Sequence, residues 1–336
     1  MSDDARAAVL STVEKTASLT YQGAIGLVTR GWAMKGERGA AGLGAARAHL
    51  RRCLSERRAV LAPGAANALT ARVIEDLGFE AVYVTGAGVA NTHLGLPDIG
   101  LLTVTELNDV VVRISDVCSL PLIVDIDTGF GNAINVGRVI ATLERAGASA
   151  VQIEDQVFPK KCGHFEGKAV ISQQEMASKI KAAVDARHDP NLQIIARTDA
   201  RAVEGLDRAL ERAEYYREAG ADVIFVEAPL NLSELTLVGQ LSAPQVVNIV
   251  IGGKTPEISQ AELRRLGFSL ALYANAALQA SLRAMQETLG HLKAQGSLWG
   301  IEDALASFAE RQRIVAKPDY DLLEERYKSA DRSDAA

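Results

Sequence analysis

The chain has 336 residues, 48% of them hydrophobic, with 42 acidic against 36 basic side chains and a formal net charge of −6. That supplies ample apolar material for a large core and argues against a phosphate-backbone partner, which would need a basic surface. No apolar run approaches the ~20 residues needed to span a bilayer.

The start, Met1-Ser2-Asp3-Asp4-Ala5-Arg6, lacks a basic stretch followed by an apolar one, so no signal peptide is expected. Cys53, Cys118 and Cys162 are widely spaced with no CxxC pair, which suits a reducing cytoplasm better than a disulfide framework or a zinc site. Residues 1–45 read as an N-terminal extension, with an amphipathic helix over roughly 5–18 and an apolar one over 20–29. A helix ends near Arg57, and the chain then becomes regular. A short strand begins at Ala59 and stops at a Pro63-Gly64 turn, followed by helical spacing over 69–77. Further strand-like runs fall at 81–85, 120–125, 150–154, 193–197, 223–227, 246–250 and 268–273. Helical periodicity fills 136–146, 175–186, 207–219, 232–241 and 259–266, and Gly78, Gly147, Gly220 and Gly267 punctuate the helix ends. Eight strands alternating with helices predict an α/β fold, a closed (β/α)8 barrel over 46–275. A doubly wound open sheet competes, but it would carry a glycine-rich loop after its first strand, and Thr85-Gly86-Ala87-Gly88 follows the second. Two long helical stretches, 276–295 and 301–315, then Pro318 and a charged tail, make a C-terminal region over 276–336.

A barrel places chemistry at the C-terminal ends of its strands. There the sequence puts Tyr83 and Thr85, Asp125 and Asp127, Glu154 and Asp155, Arg197 and Asp199, Glu227, and Asn248. Strand alternation predicts that Asp125 and Asp127 share a face. Paired carboxylates there suit a hard divalent cation, held with Glu154 and partly through water; solvated loop acids beside a glycine turn are the alternative. After the fourth strand, Lys160-Lys161-Cys162-Gly163-His164-Phe165-Glu166-Gly167-Lys168 delays the next helix and reads as a lid. Its lysines and histidine are placed to favour the Cys162 thiolate.

Taken together, Tyr83-Val84-Thr85-Gly86-Ala87-Gly88, Leu94-Gly95-Leu96-Pro97-Asp98, Asp125-Ile126-Asp127-Thr128-Gly129-Phe130-Gly131, Ile153-Glu154-Asp155-Gln156, the Lys160–Gly163–His164 lid, Ala196-Arg197-Thr198-Asp199 and Gly252-Gly253-Lys254-Thr255-Pro256 resemble the isocitrate lyase and phosphoenolpyruvate mutase superfamily, over about residues 50 to 290. Within it the chain looks most like the short lyases acting on methylisocitrate and 2,3-dimethylmalate. The resemblance implies a barrel whose last helix is exchanged between subunits, in a dimer or a dimer of such dimers. It also implies Mg2+, with Mn2+ able to substitute, held by Asp127 with Asp125, Glu154 and Asp98. The implied substrate contacts are Thr85, Gly86, Ala87, Arg197, Gly163, His164 and Asn248. Cys162 would be the lid acid, with Tyr83, His164, Arg197 and Glu227 completing the catalytic group.

The expected reaction is retro-aldol cleavage of a 2-hydroxy dicarboxylate of the alkyl-substituted malate type, giving a 2-oxo acid, pyruvate or glyoxylate, and a carboxylic acid. Three departures shape that expectation. Phe165 stands where methylisocitrate lyases carry Arg, Gln152 where they carry His, and Tyr273-Ala274-Asn275 replaces their Tyr-Pro. Oxaloacetate decarboxylation or hydrolysis, or a phosphonate mutase reaction, would use the same metal site. A non-catalytic scaffold would be expected to have lost the acids and Cys162, all of which are present.

Overall fold

In the computed structural model the described residues are 40–161, 163 and 167–330. The helices expected within 1–39 therefore lie outside the described residues. Eight strands close in chain order into a parallel barrel. They are β1 Val60–Ala65, β2 Val82–Val84, β3 Leu122–Asp125, β4 Ala148–Glu154, β5 Gln193–Thr198, β6 Val223–Val226, β7 Gln245–Asn248 and β8 Leu270–Tyr273. Closure comes from β1 against β8, with Val60 opposite Leu270 and Pro63 opposite Tyr273.

The strands are short and rich in apolar residues, and both of their faces are largely buried. Their outward side chains pack under the surrounding helices, where Val82, Val124, Val151, Ile194 and Val247 meet helix residues such as Ile114, Ile140 and Ile180. The inward ones, among them Val60, Ile123, Ile195, Phe225 and Leu272, fill the barrel. Strand β1 runs past the predicted Pro63-Gly64 turn. A side chain at Gly64 would overlap the backbone of Ala274, so this glycine allows the first strand to lie close against the end of the last.

The first described helix, α1 Ala40–Ser55, sends Leu50, Cys53 and Leu54 into the same cluster as the barrel interior. Around the barrel follow α2 Ala68–Asp76, the single turn α3 Gly86–Val89, α4 Val104–Ser115, α5 Ala133–Ala146, α6 Gln173–Ala186, α7 Ala200–Val203, α8 Leu206–Glu218, α9 Leu232–Gly239 and α10 Gln260–Leu266. Their starts are chemically marked: Thr103 with Glu106, and Asn132 with Asn135, form reciprocal caps at α4 and α5. The two near-identical helix-to-strand joints turn alike, with Gly147 at φ 111° and Gly220 at φ 110°.

The C-terminal region differs from expectation beyond α11 Ala276–Gln295. The predicted 301–315 helix is broken, because Ser307 accepts the Glu310 N–H and starts a separate helix, α12 Phe308–Ile314. The tail after Pro318 is helical as well, α13 Lys317–Ala330. Pro318 sits in its first turn, where a missing N–H costs no helical hydrogen bond. Helix α11 buries none of its own residues, and Leu282, Met285 and Leu289 are each at least half exposed. Among the described residues no helix is long and apolar enough to cross a membrane.

Arg47 ties α1 to the underside of the barrel. It donates to the carbonyls of Ala148 and Glu144 at 2.9 and 2.6 Å and pairs with Asp189 at 3.2 Å. The buried Glu144 carboxylate lies 3.8 Å away and also accepts from the His188 and Asp189 amides. Arg47→Met, which keeps the stem and deletes the charge, is expected to lower unfolding stability by about 3 kcal/mol. Urea denaturation followed by circular dichroism measures this, with the native spectrum unchanged before the transition.

Candidate active site

The acids converge at the C-terminal mouth, though not by strand pleating alone. Strand β3 stops at Asp125, and Asp127 lies beyond it with a left-handed φ of 48°. Its amide donates to Asp125 Oδ1 at 3.1 Å, folding the second acid back over the first. A turn, not the period of a strand, aims the pair. Gly86 of the α3 turn faces them, and a Cβ there would stand 3.2 Å from Asp125 Oδ2 and 3.3 Å from Asp127 Oδ1. Glu154, the last residue of β4, is 2% exposed, with Oε2 3.4 Å from Arg197 Nε and no hydrogen-bond donor on Oε1.

Lys160 enters this acid group from the base of the lid. Its ammonium pairs with Asp98 and lies 2.9 Å from Asp127 Oδ1, without hydrogen-bond alignment to the latter. Burial raises the Asp127 carboxyl to about 6, with Asp125 and Asp98 adding to the rise and Lys160 opposing it. Burial likewise holds Glu154 well above the ordinary glutamate range, against the pull of Arg197. Desolvation would lower the Lys160 ammonium, but Asp127, Glu154 and Asp98 overcome it and hold the proton on. A buried carboxylate oxygen without a donor, Glu154 Oε1, in a group with excess negative charge, fits a hard cation with oxygen ligands. Among the described residues only His49, Cys53 and Glu80 bring three ligand-type atoms within 4.8 Å of one another. That trio lies near the N-terminal ends of the strands, and Arg58 already bridges Cys53 and Glu80. The acids at the mouth are not set that closely.

Arg197 at the end of β5 is heavily braced. Asp199 accepts from Nε and Nη2 at 2.9 and 3.1 Å, Glu227 lies 3.7 Å away, and the guanidinium stacks on Phe225 at 5.2 Å. Thr85 caps α3 by accepting the Gly88 N–H at 3.2 Å, so the first N–H groups of the turn, from Gly86 and Ala87, have no acceptor within the helix. At the end of β7, Asn248 Oδ1 is buried without a hydrogen-bond partner.

Tyr83 is buried and donates to Gln152 Oε1 at 2.9 Å, while Gln152 Nε2 donates to Asp125 Oδ1 at 3.3 Å. Burial and the Asp125 charge raise the phenol far above its ordinary range. A neutral phenol is therefore favoured at this position. Gln152, notable in the sequence only as a departure, is the bridge between Tyr83 and Asp125. Lys160, grouped by sequence with the lid thiol, is committed to the acids.

The lid approaches this group through Gly163. A side chain there would overlap Arg197 Nη2 and Glu227 Oε1. Lys168 donates to the Gly163 carbonyl at 2.6 Å and to Asp199 at 2.5 Å, so Asp199 links the lid to the arginine. Gln156 holds the other side, accepting the Lys161 N–H at 2.9 Å and donating to its carbonyl at 2.8 Å. Cys162 and His164 lie outside the described residues. A cavity of about 890 Å3 opens beside the mouth, lined by Asp127, Thr128, Leu102, Phe130, Ile171 and Lys179 among others.

Gly163→Ala is expected to push the lid off Arg197 and Glu227 and to lower turnover by about 100-fold, the scale of a misplacement near 1 Å. Steady-state kinetics with an unchanged melting temperature checks this; an unaffected kcat would show that the lid need not seat where it lies.

A family model described as phosphoenolpyruvate phosphomutase matches residues 50–293. The chain is 46% identical over 264 residues to 2,3-dimethylmalate lyase of Eubacterium barkeri, covering 78% of this chain and 91% of the relative. It is 45% identical to 2-methylisocitrate lyase of Aeropyrum pernix, covering 81% of this chain and 88% of that one. A crystal structure of 2,3-dimethylmalate lyase superposes with a TM-score of 0.79 at 33% identity, covering 84% of this chain and 95% of that one. Phosphonopyruvate hydrolase in complex with oxalate and Mg2+ superposes with a TM-score of 0.76 at 30% identity, covering 84% and 98%. An eight-stranded parallel barrel with acids, arginine and lid gathered at one mouth, joined to these similarities, makes the chain a member of the isocitrate lyase/phosphoenolpyruvate mutase superfamily, similar to its short lyases.

Proposed function

We propose that this protein is a carbon–carbon lyase that cleaves an alkyl-substituted malate, or a closely related 2-hydroxy dicarboxylate, to a 2-oxo acid and a carboxylic acid. The observation that carries the reading is the mouth itself: Asp125, Asp127 and Glu154 are buried there, Glu154 lies 3.4 Å from Arg197, and Gly163 of the lid is seated against that arginine. Similarity to 2,3-dimethylmalate lyase along 91% of that relative supports the same class of substrate.

Asp125, Asp127 and Glu154 would hold Mg2+, or Mn2+ in its place, with Asp98 behind Lys160. When bound, such an ion supplies Lewis-acid stabilisation of charge on the substrate's C2 oxygen. Arg197, fixed by Asp199 and Glu227, faces a substrate carboxylate, and Asn248 and the turn amides of Gly86 and Ala87 bind the remaining oxygens. The C2 hydroxyl gives up its proton to the carboxylate-lined mouth, for which the neutral Tyr83 is a weaker acceptor. The C2–C3 bond then breaks with its electron pair left on C3. Cys162, aided by His164, returns a proton to that carbon, and the closed lid keeps water from doing so first. The exposed apolar face of α11, including Leu282, Met285 and Leu289, supports exchange of C-terminal helices between subunits of a homo-oligomer. A cytoplasmic setting suits Cys53 and Cys118, which are buried and outside any disulfide among the described residues.

The test is a panel of 2-hydroxy dicarboxylates, including 2,3-dimethylmalate and 2-methylisocitrate, with oxaloacetate as the contrasting substrate. The expected result is pyruvate or glyoxylate release that EDTA stops and Mg2+ restores. Consumption of oxaloacetate with none of the hydroxy acids cleaved would replace the lyase by a decarboxylase or hydrolase. Cys162→Ser should lose about 10²- to 10⁴-fold in cleavage while still binding a 2-oxo acid; turnover at the parent rate would remove Cys162 from the scheme.

A further inference from the structure

The turn that presents Asp127 is backbone-strained, and its outer side rests on one distant side chain. Asp127, Gly129, Phe130 and Gly131 have φ of 48°, 89°, 57° and 144°, so four of five consecutive residues are left-handed and two of those are not glycine. Such a run persists only where the surroundings over-determine it. Three of its polar backbone groups are held from within the barrel mouth. The Asp127 amide donates to Asp125 Oδ1, the Asp127 carbonyl accepts from the Glu154 amide at 2.9 Å, and the Gly129 amide donates to the Ile126 carbonyl at 2.8 Å.

The carbonyl of Thr128, between the two bent residues, is held differently. It accepts from the ammonium of Lys179, on α6, at 3.0 Å. Lys179 is only 5% exposed, and among the described residues no carboxylate lies within ion-pairing distance of its nitrogen. Burial lowers its pKa, with Glu175 opposing. A charged group placed so unfavourably is explained if the hydrogen bond it makes is needed.

We propose that Lys179 is a positioning residue: it clamps the Thr128 carbonyl so that the Asp127 carboxylate is held at the mouth, and it thereby sets the affinity of the site for its divalent ion. The inference rests on the reading of Asp127 as a metal ligand. Residues that orient ligands without touching the metal are typically worth 10- to 100-fold in affinity. The cavity beside Lys179 and Thr128 leaves space for a longer cationic side chain, so an arginine can take over the contact.

The experiment compares the full-length parent with Lys179→Met, Lys179→Arg and Asp127→Asn, each without substrate, by electron paramagnetic resonance titration with Mn2+. Melting temperatures are measured alongside. The expected result is a 10- to 100-fold weaker Mn2+ dissociation constant for K179M in a folded barrel, with K179R within a few-fold of the parent and D127N without measurable binding. Parent-like Mn2+ affinity in K179M, with D127N inactive in binding, overturns the clamp alone. Parent-like affinity in D127N overturns the metal reading beneath it. Should K179M fail to fold, Lys179→Gln, which keeps a shorter donor, carries the same comparison: weakened binding supports the clamp and unchanged binding overturns it.

Discussion

Negative charge crowded into a nearly dry mouth governs this protein. Asp125, Asp127, Glu154, Asp199 and Glu227 are all buried at one end of a single barrel, and within the described residues Arg197, Lys160 and Lys168 are the cations set directly among them. Bringing carboxylates so close out of water is unfavourable unless positive charge joins them, which is why burial dominates the upward shifts of Asp127 and Glu154. The arrangement that weakens the fold locally is one that the proposed cation and oxygen-rich substrate would offset.

The barrel sustains that concentration because strain and charge are answered by rigid neighbours. Asp155 shows this: fully buried, it accepts from Thr198, Tyr216 and the Asp199 amide, and so fixes the acid that orients Arg197. Each layer positions the next, from the α8 side chain of Tyr216 through β4 and β5 to the guanidinium. The lid joins the chain of supports through Lys168 and Gly163. Closure and arginine placement thus share Asp199 and are expected to change together.

Of the sequence departures, Phe165 lies outside the described residues. Gln152 is structurally committed, joining Tyr83 to Asp125 with an amide whose two ends suit a phenol donor and a carboxylate acceptor. A bridge of this kind fixes Asp125 without adding charge to the mouth.

The order of strands and helices, the glycine joints at Gly147 and Gly220, and the gathering of acids at strand ends were all determined by the sequence, because hydrophobic period and turn chemistry are local and a parallel barrel follows from their repetition. The motifs at Asp125, Glu154 and Arg197 marked the site for the same reason. Local pattern did not reveal that Asp127 is aimed by a left-handed turn, that Lys160 belongs to the acids, that Gln152 joins Tyr83 to Asp125, or that Ser307 divides the last predicted helix. The carboxylate shifts and the reach of Lys179 to Thr128, 51 residues earlier in the chain, depend on burial and on distances between segments far apart in sequence. Only tertiary structure decides those, since desolvation and long-range electrostatics have no period to read.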